Sequence, residues 1–339
     1  MSNNWPCTMG SPEAVSVVFM FPGQGSQFVG MGREVYDSSP AARRVFHEVD
    51  ETLGRHLSRI IFQGPEEALT STCNAQLALM TVSVALVRAL EENLGGPITD
   101  AVKYVLGHSV GEYTALHVSK VIGLPSVARL LDVRGKAMHR ASSLCCGGMA
   151  ALIGGSLSEV EAVAARASEY GICEVANDNC TGQVVVSGTE SALQQLPKLI
   201  EGTGIKKVIR LRVSGPFHSS LMRLACNEIG DFVDQLEMNP PEVEMVFNVS
   251  ASTHSDCNAI RNLMVRQVVS RVRWRESIEY LIGCGCSEFI EVGPGQVLVG
   301  LLKRIDNSVR GFGVDSMESV RANCSGVLKS EKLAASNSG

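Results

Sequence analysis

Ala101-Val102-Lys103-Tyr104-Val105-Leu106 is followed directly by Gly107-His108-Ser109-Val110-Gly111 and then by Glu112-Tyr113-Thr114-Ala115-Leu116-His117-Val118. An apolar run, a G-x-S-x-G corner and a run of helical character thus succeed one another without a spacer. The order predicts strand, tight turn, helix. A serine at such a corner sits on a sharp, strained turn, with its hydroxyl exposed at the C-terminal edge of a sheet. The two glycines give the turn room and let helix and strand approach closely. The N-terminus of the following helix points at the site, where oxyanions are stabilised. Ser109 is the candidate nucleophile. The competing reading is a Gly-rich turn with an idle serine, because the pentapeptide alone has false positives.

The same alternation extends on both sides of this corner. Ser16–Phe21 reads as a buried strand cut off by Pro22-Gly23-Gln24-Gly25-Ser26. Ser39-Pro40 reads as N-cap and first residue of a helix, with Ala42, Val45, Phe46, Val49 and Leu53 on its apolar face. Residues 74–94 read as a long apolar helix and 125–142 as another. Strand and helix in alternation predict an α/β layer with a parallel sheet. The middle differs: strands at 148–153, 173–176, 184–187 and 207–213, helices at 157–170 and 191–200, and a turn at Asn177-Asp178-Asn179. The order βαββαβ is that of a ferredoxin-like split unit, placed as an insert at 144–213. The large α/β domain is expected to be discontinuous, 14–143 and 214–315, with helices at 221–236, 258–269 and 276–281, strands at 244–249 and 288–292, and a last helix reaching Arg304. A polar tail, 326–339, is expected to be disordered.

Composition narrows the class. The chain has 339 residues, 45% hydrophobic and 19% charged, which is globular. Thirty basic residues against thirty-five acidic give a net charge of −5, which does not favour nucleic acid. No apolar run near 18 residues is read, so no membrane span is expected. No Lys or Arg precedes Arg33, and Pro22 breaks the first apolar run, so no secretory signal is expected either. Eleven cysteines at irregular spacing, without a CxxC pair, predict reduced thiols and no zinc site.

A serine nucleophile needs a base, oxyanion donors and a substrate grip. His218 lies in Val213-Ser214-Gly215-Pro216-Phe217-His218-Ser219, a loop stiffened by Gly and Pro that re-enters the large domain after the insert. The other histidines fall on helices, in a polar loop, or, for His108, beside a presented Ser109 and pointing elsewhere. The backbone of Gly23-Gln24-Gly25-Ser26-Gln27 is either an oxyanion-hole contributor or an ordinary tight turn. Arg134 interrupts an apolar helix stripe of Val127, Leu130, Leu131, Met138 and Ala141. Such a guanidinium holds a carboxylate with two hydrogen bonds, pairs with a structural acid or snorkels to water.

Five motifs then act together: Phe21-Pro22-Gly23-Gln24-Gly25-Ser26-Gln27, Gly107-His108-Ser109-Val110-Gly111-Glu112-Tyr113, Val133-Arg134-Gly135, Pro216-Phe217-His218-Ser219 and Glu291-Val292-Gly293-Pro294-Gly295. In this order they resemble the malonyl-CoA:acyl-carrier-protein transacylase family of fatty-acid synthesis, over residues 16–315. The resemblance implies an α/β-hydrolase-like domain with a ferredoxin-like insert. It implies Ser109 as acylated nucleophile, His218 as base, Arg134 as the grip on the malonyl carboxylate, and the N–H groups of Gln24 and Val110 as oxyanion hole. It further implies that the backbone carbonyl of Gln267 orients the histidine where other hydrolases use an acid. Asn177 and Asn179 match positions bordering the cleft. Phe217 replaces a serine common in the family and implies preference for malonyl over methylmalonyl. Val110, Thr181 and Gln296 are the other departures.

The implied substrates are malonyl-CoA and the phosphopantetheine thiol of acyl carrier protein, with no metal or redox cofactor. The expected enzyme is a soluble intracellular monomer, in the cytoplasm if bacterial and in the mitochondrial matrix if eukaryotic. Two basic clusters, Lys206/Lys207/Arg210/Arg212 and Arg271/Arg273/Arg275, are candidate docking sites for an acidic carrier protein, the latter three sharing one face if that stretch is extended. The alternatives are a serine esterase or thioesterase, with Asp132 or Asp178 as triad acid, and a non-catalytic carrier-protein scaffold.

Overall fold

The computed structural model describes residues 16–326 and residue 328. The expected domain start at 14 and, apart from Gly326 and Leu328, the expected disordered tail lie outside these residues. Among the described residues ten strands form in chain order: β1 (Ser16–Phe21), β2 (Tyr104–Gly107), β3 (Gly147–Gly154), β4 (Cys173–Cys180), β5 (Gln183–Thr189), β6 (Ile205–Arg210), β7 (Glu244–Phe247), β8 (Ser252–Thr253), β9 (Cys286–Val292) and β10 (Arg310–Val314). They make two sheets. The larger has the order β10-β9-β1-β2-β7-β8, parallel throughout except for the β7–β8 pair. The smaller, β4-β5-β3-β6, is antiparallel, with its edges set as in a ferredoxin-like unit. The expected fold class is therefore the observed one.

The apolar runs form strands because both sheet faces are covered. Along β1, Val17, Phe19 and Phe21 enter one apolar core while Val18 and Met20 enter another on the opposite face. A parallel strand buried on both faces needs this continuous hydrophobicity. The helix Thr72–Leu94 is 23 residues long and apolar enough to cross a membrane by length and composition, a run that the sequence reading passed over. In the fold 83% of its apolar window is buried, and it packs against the helices Pro40–Leu53 and Leu124–Ser143. It is the central helix of the core.

Four expectations are corrected. Asn177-Asp178-Asn179 is not a turn but part of β4; the turn is at Thr181-Gly182, where Gly182 has φ +72°. The Asx side chains make no local turn because distant partners hold them: Arg275 for Asp178 and His108 for Asn179. Arg271, Arg273 and Arg275 do not share one extended face, since the helix Trp274–Gly283 already includes Arg275. The segment 191–200 is two short helices, Glu190–Leu193 and Leu196–Leu199. β10 and the helix Met317–Ser325 were not foreseen. Among the described residues nine cysteines are free, while Cys284 is disulfide-bonded, against the expectation of reduced thiols.

Candidate active site

β1 and β2 run in register, with Phe21 opposite Gly107, so the loops after both strands emerge side by side at one sheet edge. Ligands in open α/β sheets bind outside such carboxyl ends. The turn between them and the following helix is dictated by glycine. A Cβ on Gly107 would fall 1.9 Å from the carbonyl carbon of Gly111, and one on Gly111 would fall 2.2 Å from the carbonyl oxygen of Phe21. Ser109 between them is left-handed, φ 50°, a conformation that costs a non-glycine residue about 1–3 kcal/mol and persists only where surroundings enforce it. Asn248, just beyond β7, does so. Its Oδ1 accepts the Ser109 N–H at 2.8 Å and its Nδ2 donates to the Gly107 carbonyl at 2.7 Å. Asn248 is fixed in turn by its own N–H, which donates to Glu112 Oε2 at 2.6 Å.

His218 meets Ser109. Its Nε2 lies 2.7 Å from Ser109 Oγ, and its Nδ1 lies 2.9 Å from the Gln267 carbonyl. The neutral tautomer with hydrogen on Nδ1 satisfies both contacts, leaving Nε2 to accept the serine proton. Burial, reinforced by the positive charge of Arg134, pushes the histidine down to about 3, so the imidazole is neutral at ordinary pH. His218 is itself left-handed, φ 58°. Among the described residues no carboxylate stands behind it: Asp132 pairs with Arg55 and Lys136, and Asp178 pairs with Arg275.

Arg134 is 1% exposed on the helix Leu124–Ser143, whose stripe is buried as expected. Its partners are not acids. Nη1 donates to Gln76 Oε1 at 2.6 Å and Nη2 to Gln267 Oε1 at 3.0 Å, while the guanidinium sits 5.0 Å from the centre of the Tyr113 ring. Among the described residues no carboxylate forms an ion pair with it, and its Nε has no partner. The expected alternative of a structural ion pair is therefore not what the fold builds. A buried cation held by amides is suited to receive a carboxylate from outside.

Ser109, His218 and Arg134 line one cavity of about 340 Å³, together with Gln24, Val110 and Phe217. Asn177 and Asn179 of the small sheet line it too, so the cavity lies between the two sheets. His108 also lines it, with its ring turned from Ser109 so that Nε2 meets Asn179 Oδ1 at 2.8 Å. The backbone N–H groups of Gln24 and Val110 have no acceptor among the described residues.

Sequence reasoning missed four supporting residues: Gln76, Asn248, Glu112 and the side chain of Gln267. Gln267 Nε2 donates to the Ser109 carbonyl at 2.8 Å and to Glu112 Oε1 at 3.2 Å. Burial pushes the Glu112 carboxyl up to about 8, against the hydrogen bond from Asn248 and the charge of Arg134. Gln76 carried a signal, being a polar residue within the apolar 74–94 run; Asn248 carried none.

The chain is similar to known proteins over most of its length. The acyl transferase domain family matches residues 18–323. The malonyl CoA-acyl carrier protein transacylase of Bacillus subtilis (strain 168) is 39% identical over 305 residues, 90% of this chain and 95% of that protein. The crystal structure of acyl-carrier-protein-S-malonyltransferase from Bartonella henselae superposes with a TM-score of 0.89 at 42% identity, covering 92% of this chain and 99% of that one. A type II PKS acyl-carrier protein in complex with its malonyl-transacylase gives 0.87 at 33% identity, covering 93% and 99%.

Proposed function

This chain belongs to the acyl transferase domain family, and from that premise we propose that it transfers a malonyl group from malonyl-CoA to the phosphopantetheine thiol of acyl carrier protein, supplying malonyl units for fatty-acid elongation. The observation that carries the reading is one cavity in which a serine hydroxyl lies 2.7 Å from a neutral imidazole, beside a buried arginine without an acidic partner.

The chemistry follows from the geometry. Ser109 Oγ attacks the thioester carbonyl carbon while His218 Nε2 takes its proton. The oxyanion falls to the N–H groups of Gln24 and Val110, and each such donor is typically worth roughly 3 kcal/mol. Collapse breaks the carbon–sulfur bond, and the CoA sulfur leaves with the proton from the imidazolium. A malonyl-serine ester remains. The carrier's thiol then gives its proton to His218 and attacks the ester carbon, the ester carbon–oxygen bond breaks, and Ser109 Oγ leaves with the proton from the imidazolium. Arg134 holds the free carboxylate in both halves. The Gln267 carbonyl keeps His218 in the acceptor tautomer and favours the transient imidazolium. These steps use this chain and its two thioester partners, with no metal or redox cofactor.

The reading divides the chain into a catalytic unit, 14–143 and 214–315, and an insert, 144–213, that closes the cleft. It takes the enzyme as a soluble intracellular monomer, in cytoplasm or mitochondrial matrix according to source. Of the two basic clusters, Arg271, Arg273 and Arg275 are taken up by Glu161, Glu276, Asp178 and Glu279. Lys206, Lys207 and Arg212 are exposed, and Leu211 and Val213 on either side of Arg212 line the cavity, which favours the first cluster for carrier docking. The test is transfer itself: purified protein with malonyl-CoA and holo carrier protein should form malonyl-carrier. Release of free malonate at the same rate without the carrier would instead mean a thioesterase.

A further inference from the structure

His218 needs a left-handed backbone in a loop that has no regular structure, so something outside the loop must hold it. Two contacts from the small sheet do, one on each side. Before the histidine, Ser187 Oγ donates to the carbonyl of Phe217. After it, Glu174 Oε2 accepts the Ser220 N–H at 2.7 Å and Oε1 accepts the Ser220 hydroxyl at 2.8 Å. Ser187 is fully buried, Glu174 half-buried. Glu174 on β4 and Ser187 on β5 are direct cross-strand partners, and opposite residues of an antiparallel pair project from the same face. One rung of the small sheet thus grasps the chain at both Phe217 and Ser220. Within the loop, Ser219 Oγ closes back on the Pro216 carbonyl at 2.6 Å.

We propose that Glu174 and Ser187 are positioning residues for the base: the small sheet, besides walling the cleft, fixes the left-handed backbone that brings His218 Nε2 to Ser109 Oγ. The inference rests on the reading of His218 as base. The charge on Glu174 matters because a carboxylate accepts both Ser220 donors at once, one on each oxygen, and such charge-assisted bonds are the strong ones. Placement errors of about 1 Å at reacting groups cost on the order of a hundredfold.

The test compares Glu174→Ala, Glu174→Gln, Ser187→Ala, His218→Ala and the double variant Glu174→Ala/His218→Ala, reading single-turnover acylation of Ser109 by malonyl-CoA, KM and melting temperature. Glu174→Ala should acylate about tenfold to a hundredfold more slowly with KM little changed. Glu174→Gln should recover part of the rate, since one carbonyl oxygen remains as acceptor. In the His218→Ala background the Glu174 substitution should have no further effect, because its route of action is gone; a merely structural residue would lower the rate again. Should Glu174→Ala fail to fold, Ser187→Ala carries the same test from the other side of the histidine. A folded Glu174→Ala or Ser187→Ala with wild-type acylation, or an added loss in the double variant, overturns the proposal. If instead His218→Ala itself acylates normally, the assignment of the base fails.

Discussion

The Oε1 of Gln267 accepts a hydrogen bond from Arg134 at 3.0 Å. The carbonyl of the same Gln267 receives the Nδ1–H of His218. One residue therefore ties Arg134, the proposed carboxylate grip, to His218, the proposed base. Arg134→Ala should remove the selection and keep the proton path. Malonyl-CoA use should fall by about 2–5 kcal/mol in transition-state binding, the cost of an anion losing a buried partner. Acetyl-CoA, without the carboxylate, should lose little. The check is kcat/KM for both thioesters; equal losses would make Arg134 structural.

As the proposed base, His218 should set the pH profile. Burial first, and the charge of Arg134 second, hold His218 down to about 3 from its ordinary 6.5. A lowered value means that the neutral, proton-accepting form persists as pH falls. Labelling of Ser109 by an uncharged fluorophosphonate should stay level through pH 6.5 and decline only in stronger acid. Arg134→Ala removes a positive neighbour and should move that acid limb upward. A wild-type midpoint near 6.5 would count against the buried neutral imidazole.

Phe217 lines the cavity beside His218 and is buried. Phe217→Ser should widen tolerance for methylmalonyl-CoA relative to malonyl-CoA. A single methyl group usually discriminates by only about 1–3 kcal/mol, so the change should be modest. Competition between the two thioesters measures it; an unchanged ratio removes the steric gate.

Lys207→Glu combined with Arg212→Glu should raise KM for carrier protein and flatten its salt dependence, since charges at an interface rim act mainly on association. Acylation from malonyl-CoA should remain. If both half-reactions fall together, or neither does, the carrier does not dock on this cluster.

The Gly107–Gly111 corner and its strands were legible because their signals are local: apolar runs of strand length, glycine at fixed offsets, a helix start. Ser109, His218, Arg134 and the Gln267 carbonyl stood out by motif. The supporting network did not, because it is made at long range. Gln267 Nε2 reaches Ser109 across 158 residues, Asn248 reaches it across 139, and Glu174 reaches Ser220 across 46. Asn177-Asp178-Asn179 misled for the same reason. Turn chemistry is a local preference, and in β4 the ion pair of Asp178 with Arg275 and the bond of Asn179 to His108 outweigh it.

The most direct measurement is peptide mass spectrometry after brief exposure to malonyl-CoA and acid quench. The account predicts one malonyl ester, on the peptide carrying Ser109, absent from Ser109→Ala and discharged when holo carrier protein is added before the quench. A malonyl adduct on another residue, with Ser109→Ala still transferring at the wild-type rate, would contradict it.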